Sequence, residues 1–142
     1  MGMINGFYPV LVTEDVPGAA GFFRDHFGFE TTFEAEWYVS LRRDSHEIAV
    51  LAAGHPTLPE AYRQATTAGL LINIEVEDVD ATYQRLVQDR SLPLELDIRS
   101  EDFGQRHFIL EGPGRILIDV IAPIPPSEDF AAAYSASDDQ VG

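Results

Sequence analysis

The chain has 142 residues, 45% hydrophobic and 23% charged, which is the composition of one folded domain and too short for two full-sized ones. It contains no cysteine, so disulfides, thiolate nucleophiles and cysteine-held zinc or iron–sulfur centres are excluded. Lys plus Arg is 9 against 24 Asp plus Glu, a formal charge of −15 that repels phosphate backbones and anionic lipid, so neither nucleic acid nor membrane is expected as a partner.

Met1 to Asn5 carry no basic stretch and no long apolar run, so no secretory leader is expected and the chain reads as cytoplasmic. No segment approaches the roughly 20 apolar residues of a membrane span. Phe7 to Thr13 is apolar and rich in β-branched residues, the pattern of a first strand. Asp15 then offers an N-cap and Pro17 suits a helix's first turn. Val16, Ala19, Ala20, Phe23 and Phe27 recur at helical spacing as one apolar face, and Gly28 ends the helix. Three short strands follow at Phe29 to Phe33, Trp37 to Arg42 and Glu47 to Ala52, with Asp44-Ser45 at the last hairpin. Gly54, Pro56, Pro59 and Gly69 mark 53–69 as a connection, with room for a helical turn at Glu60 to Gln64.

The second half repeats the first. Leu70 to Val76 is a strand, Asp78 a cap, and Val79, Tyr83 and Leu86 a helical face. Strands are expected at Pro93 to Ile98, Arg106 to Leu110 and Arg115 to Ile121, with Gly112-Pro113-Gly114 as the last turn. A shift of 63 residues carries Asp15 onto Asp78, Leu11 onto Ile74, Val16 onto Val79 and Phe23 onto Leu86; a shift of 69 carries Leu41 onto Leu110. The chain therefore reads as one α+β domain over 1–122, built from βαβββ units at 5–52 and 70–122. The remainder, 123–142, is a Pro-, Ser- and Asp-rich tail in which Phe130 to Tyr134 forms a docking turn and the end is disordered.

This architecture resembles the vicinal oxygen chelate superfamily of glyoxalase I, bleomycin-resistance proteins and extradiol dioxygenases. The resemblance is carried by Asp15 to Glu30, Glu77 to Ala81, Phe103 to Phe108 and Gly112 to Asp119, in that order, and covers roughly residues 5–122. It implies two units closing into a U-shaped mixed sheet around a cavity, with the helices outside. It also implies pairing of two chains into a homodimer. Metal-dependent members place ligands near the start of each unit's first strand and on each last strand. Those positions are Tyr8 and Leu71, then Val50 (or Ala49) and Asp119. Leucine and valine cannot ligate and tyrosine rarely does, while a catalytic divalent site needs about three protein ligands. No metal or other cofactor is expected.

His26 lies in the last turn of the first helix, His46 near a hairpin tip and His55 in the connection, the last two expected to be exposed. His107 lies on a strand, either turned into the cavity or hydrogen-bonded structurally; within reach of Asp119 the two would form a general acid–base pair. Strand alternation turns Tyr8, Val10 and Val12 inward in the first unit, and Leu71, Asn73 and Glu75 in the second. Tyr38 and Ser40 face His107 and Ile109 in this reading, and Phe33 to Trp37 brings the only tryptophan to the cavity's lip.

An apolar cup with an aromatic rim and acidic groups suits an aromatic or cationic natural product. The leading expectation is a metal-independent binding protein resembling the bleomycin-resistance branch, sequestering its ligand between the units. Its ligand-binding residues are Tyr8, Phe33, Trp37, Tyr38, Ser40, Val50, Leu71, Asn73, Glu75, His107 and Asp119. The alternative is a lyase, isomerase or cyclase in which His107 and Asp119 move protons. A third class, an acidic interaction module, would show salt-sensitive association with an unfilled cavity. After loading with zinc, iron, manganese and nickel, the purified protein is expected to retain no stoichiometric metal in elemental analysis. A stoichiometric metal would overturn the strand register used here.

Overall fold

In the computed structural model, which describes residues 2–134, Asp15 opens the first helix by accepting the Gly18 N–H at 3.0 Å. Pro17 occupies the first turn, where no intrahelical amide bond is lost. The helix, α1 (Val16–Phe27), buries Val16, Ala19, Ala20, Phe23 and Phe27, the face expected from their spacing. Gly28 ends it at φ 69; its N–H donates to the Arg24 carbonyl and the Phe29 N–H to the Phe23 carbonyl. Arg43 donates from Nη1 to the Phe27 carbonyl at 2.6 Å, placing a cation at the negative end of the helix.

Helix α1 packs on β3 (Tyr38–Arg43) and β4 (His46–Ala52) of a four-stranded sheet that β1 (Val10–Thr13) and β2 (Glu30–Glu34) complete in the order β1-β4-β3-β2. β1 runs parallel to β4 and the other pairs are antiparallel. Residues directly opposite one another share a face. Leu11 pairs with Val50, Val50 with Val39, and Leu41 with Ile48; all are buried on the α1 side. The expected first strand shortens from Phe7–Thr13 to Val10–Thr13. Pro9 lacks the N–H needed to extend the ladder, although its carbonyl accepts the Ala49 N–H at 3.0 Å. Asp44 and Ser45 form the β3–β4 turn, with Asp44 at φ 54.

The second half has the same plan. β5 (Ala68–Glu75), β6 (Leu94–Glu101), β7 (Gln105–Glu111) and β8 (Arg115–Pro123) form a four-stranded sheet in the order β5-β8-β7-β6. Asp78 caps α2 (Val79–Tyr83) by accepting the Ala81 N–H at 3.0 Å, and the helix widens into a π-turn over Gln84–Asp89. Val79 and Leu86 are buried with Phe108, Leu110, Ile118 and Val120, and the Tyr83 ring meets Phe108 edge-on at 5.2 Å. The helical turn of the connection is a 3-10 turn at Glu60–Tyr62, and the docking turn near the end is a short helix, α3 (Glu128–Ala131). The disorder expected at the extreme C-terminal end falls outside the described residues.

The chain divides into two compact units, the first holding β1–β4 with the start of β5 to Leu70 and the segment Gly112–Ile116, the second β5 from Leu71, β6, β7 and β8 from Leu117. The fold is thus α+β, two tandem units with few helices. Among the described residues no helix is long and apolar enough to cross a membrane. Phe23 is 1% exposed and Phe7 is 89% exposed, although both lie in runs that read as apolar. Phe23→Ala is expected to cost about 3–5 kcal/mol in urea denaturation, and Phe7→Ala to stay within about 0.5 kcal/mol.

Candidate functional site

The face of the first sheet that α1 leaves free is set by the two-residue period of its strands. Val10 and Val12 pair with Ala49 and Leu51, which pair in turn with Ser40 and Tyr38, so all six share that face. On β2 a bulge at Thr32 shifts the register, so that Phe33 stands opposite Ser40 instead of Val39. The extra residue turns the Phe33 ring away from the α1 side. Trp37 follows in the β2–β3 turn, where the Ala35 N–H donates to the Tyr38 carbonyl at 2.8 Å.

Val10, Val12, Phe33, Trp37, Tyr38 and Leu51, joined by Thr57 and Leu58 from the following loop, line a pocket of about 530 Å³, within the roughly 300–1,000 Å³ of small-molecule sites. Its aliphatic surface is Val10, Val12, Leu51 and Leu58, and its aromatic part is Phe33, Trp37 and Tyr38. The Trp37 and Tyr38 rings lie 5.7 Å apart and tilted by 49°, and Phe33 meets Tyr38 at 6.1 Å and 61°. His55, expected to be exposed, is half-buried and stacks on Trp37 at 4.0 Å and 9°. The Thr57 N–H donates to His55 Nδ1 at 3.2 Å and Thr57 Oγ1 lies 2.9 Å from the same nitrogen. Arg63 donates from Nε to the Leu58 carbonyl at 2.9 Å, which ties down the loop that supplies Thr57 and Leu58.

Of the residues singled out from the sequence, Phe33, Trp37 and Tyr38 are brought together here. Ser40 lies beside Tyr38 on the same strand face, half-buried, without lining the pocket. Tyr8 precedes β1, is 49% exposed and does not line it either. Val50 is corrected: its register with Val39 puts it on the α1 side, fully buried, and Ala49 and Leu51 take the pocket face. Leu51, Thr57, Leu58 and His55 were missed. For Leu51 the signal was present, since alternation from Val12 and Tyr38 selects it; the others come from an irregular loop whose path no period encodes.

The other residues singled out lie in the second unit. Leu71, Asn73 and Glu75 occupy one exposed face of β5, alternating with half-buried Ile72 and Ile74. On β7 and β8, Phe108, Leu110, Ile118 and Val120 turn to α2, which sends His107, Ile109, Asp119 and Ile121 to the opposite face. There His107 Nδ1 lies 2.7 Å from Asp119 Oδ1, and His107 Nε2 lies 2.8 Å from Glu101 Oε2. Arg99 donates from Nε to Glu101 Oε2 at 2.8 Å, and Gln105 Nε2 lies 3.1 Å from His107 Nδ1. Glu101, Arg99 and Gln105 were missed because β6 runs past the expected end at Ile98. The hairpin Glu101–Gln105, closed through Gly104 at φ 116, brings them to His107.

Both His107 and Asp119 are 4% exposed. Burial opposes a charge on the His107 ring, but bonds to Glu101 and Asp119, and their charges, outweigh it and raise its pKa above the ordinary 6.5. Burial also raises Asp119, against the lowering by His107, whereas bonds from His107 and Arg99 hold Glu101 below its ordinary value. The geometry sets the imidazole between two carboxylates, an arrangement that favours its protonated form.

The Glu101–Gln105 turn is held in its turn by the segment after β8. Ser127 N–H donates to the Asp102 carbonyl at 2.8 Å, and Ile124 N–H to the Gly104 carbonyl at 2.9 Å. Tyr134 donates its hydroxyl to the Phe103 carbonyl, and the Phe103 and Phe130 rings meet at 6.3 Å.

A family model described as "Glyoxalase/Bleomycin resistance protein/Dioxygenase superfamily" matches residues 7–120. No curated protein matches the chain. A glyoxalase/bleomycin resistance protein/dioxygenase from Nocardioides is similar in structure at TM-score 0.67 and 16% identity, over 87% of each chain. Lactoylglutathione lyase from Agrobacterium tumefaciens is similar at TM-score 0.65 and 16% identity, over 84% of this chain and 94% of that one. The bleomycin-binding protein of Streptomyces verticillus, solved with copper(II)-bleomycin, is similar at TM-score 0.55 and 23% identity, over 86% and 98%.

In NMR titration the His107 ring is expected to titrate above 6.5, and Glu101→Gln to lower the midpoint. Because folding raises this pKa, the stabilisation His107 contributes is complete below about 6.5 and lost as pH rises through the raised value. Denaturation across that window should show the loss in the parent chain and a flatter profile in His107→Gln.

Proposed function

The chain belongs to the glyoxalase/bleomycin resistance protein/dioxygenase superfamily, and from that premise we propose that it binds an aromatic small molecule reversibly, without a metal, in the pocket of the first sheet. The observation that carries this reading is the convergence of Phe33, Trp37 and Tyr38 on one aliphatic-floored pocket of about 530 Å³. Apolar contact supplies the affinity, roughly 25 cal/mol per Å² of apolar surface removed from water, and aromatic pairing adds about 0.5–1.5 kcal/mol. The Streptomyces bleomycin-binding protein supports a sequestering role for a natural product. Homodimerisation and a cytoplasmic place belong to the same reading.

The family also contains metal enzymes, and the residues here do not fit that group. Leu71 and Ala49 offer no donor atom, Tyr8 is an exposed phenol, and the Asp119 Oδ1 is taken up by His107. Among the described residues no group of three or more His, Asp or Glu side chains is arranged to hold a metal ion.

A second reading, proton transfer by His107 and Asp119 in a lyase, isomerase or cyclase, has the 2.7 Å contact between them in its favour. It requires the Nε2 of His107 to leave Glu101 so that a substrate can reach it.

Calorimetry against a panel of aromatic and cationic compounds is expected to find heat of binding, and Trp37→Ala to weaken the best ligand about tenfold or more with little change in stability. Absence of heat across the panel would count against binding. His107→Ala should leave affinity at the pocket unchanged; loss of a turnover with binding spared would move the assignment to the enzyme.

A further inference from the structure

We propose that the pocket of the first sheet takes an uncharged, flat aromatic molecule and discriminates against the cationic analogue of the same shape; this rests on the binding reading above. The chain as a whole carries −15, which by itself would favour cations. Yet among the described residues no side chain lining the pocket is charged. The carboxylates next to it in sequence, Glu34 and Glu36, are exposed and do not line it. In physiological salt, exposed charges more than about 8 Å from a solvent-open site are largely screened.

A cation entering such a site would shed part of its water with no carboxylate to replace it. The gain available in return is a cation–π contact, and the rings limit it. One face of Trp37 is covered by His55 at 4.0 Å, leaving a single face for a ligand. Tyr38 stands tilted at 49° to Trp37, and Phe33 lies at 61° to Tyr38. Rings set at such angles offer edges and faces together, which suits a flat ring system through offset and edge-to-face contacts. The polar side chains among the lining residues, Tyr38 and Thr57, carry neutral hydroxyls, the kind that pairs with a hydroxyl or carbonyl on a ligand.

The test uses the only tryptophan as reporter, since Trp37 supplies the single indole N–H signal of ¹⁵N-labelled protein. The chain is titrated with 1-naphthalenemethanol and with 1-naphthalenemethylammonium, which differ only in carrying a hydroxyl or an ammonium. The alcohol is expected to shift the Trp37 signal and to bind about tenfold tighter or more. Thr57→Asp, which sets a carboxylate on the exposed rim, is expected to erase or reverse that preference. Equal or tighter binding of the ammonium by the parent chain would overturn the charge inference and leave the binding reading standing. An unchanged preference in Thr57→Asp would also overturn it. Failure of both compounds to move the Trp37 signal would sink the binding reading itself.

Discussion

Each sheet of this protein has a helix on one face, and because side chains alternate along a strand, that single fact assigns every second residue. In the first unit Leu11, Val39, Leu41, Ile48 and Val50 go to α1, and the residues between them go to the opposite face, which carries the pocket. In the second, Phe108, Leu110, Ile118 and Val120 go to α2, and His107 and Asp119 go to the other side. A slip of one residue in either ladder would exchange core for site. The apolar helix face that enforces the choice is therefore what the functional surface depends on, although α1 contributes no residue to the pocket.

The two units use the same strand plan for opposite chemistry. Pairing makes Ala49 of the first the counterpart of Asp119 in the second: each stands opposite the residue two beyond Tyr38 or His107. The first unit accordingly has an aromatic, uncharged surface at that level, and the second has an imidazole between carboxylates. A charge on a buried imidazole of this kind is favoured because both nitrogens are met, at 2.7 and 2.8 Å. Among the described residues no buried side-chain nitrogen or oxygen is left without a partner. The polar cluster is thus complete by itself, whereas the aromatic pocket is a concave apolar surface open to an occupant.

That contrast gives the small-molecule reading its weight. An internally satisfied charge network gains little from a ligand, because any contact a ligand makes there must replace one already present. An exposed aromatic surface gains by removing itself from water. Similarity to solved structures at 16–23% identity shows only the fold, which hosts a binding protein and a lyase alike.

Local chemistry was legible in the amino-acid sequence. Asp15, Pro17 and Gly28 delimit α1, its five buried positions follow the helical period, and the 63-residue repeat exposes the tandem units. Alternation was also enough to bring Tyr38, Val10 and Val12 to one face. Three features were decided only in three dimensions. The bulge at Thr32 that re-aims Phe33 depends on how β2 registers against β3, which the strand's own residues do not dictate. His55 meets Trp37 because an irregular loop, held by Arg63, returns over the sheet. Glu101 reaches His107 because a hairpin closes at Gly104 and the segment from Ile124 to Tyr134 holds it. Periodicity is a local property of the backbone, so sequence alone determined which elements form and, along an unbulged strand, which residues alternate together. Register and loop path are set by contacts between residues far apart in the chain, so the tertiary structure alone decided which side chains meet.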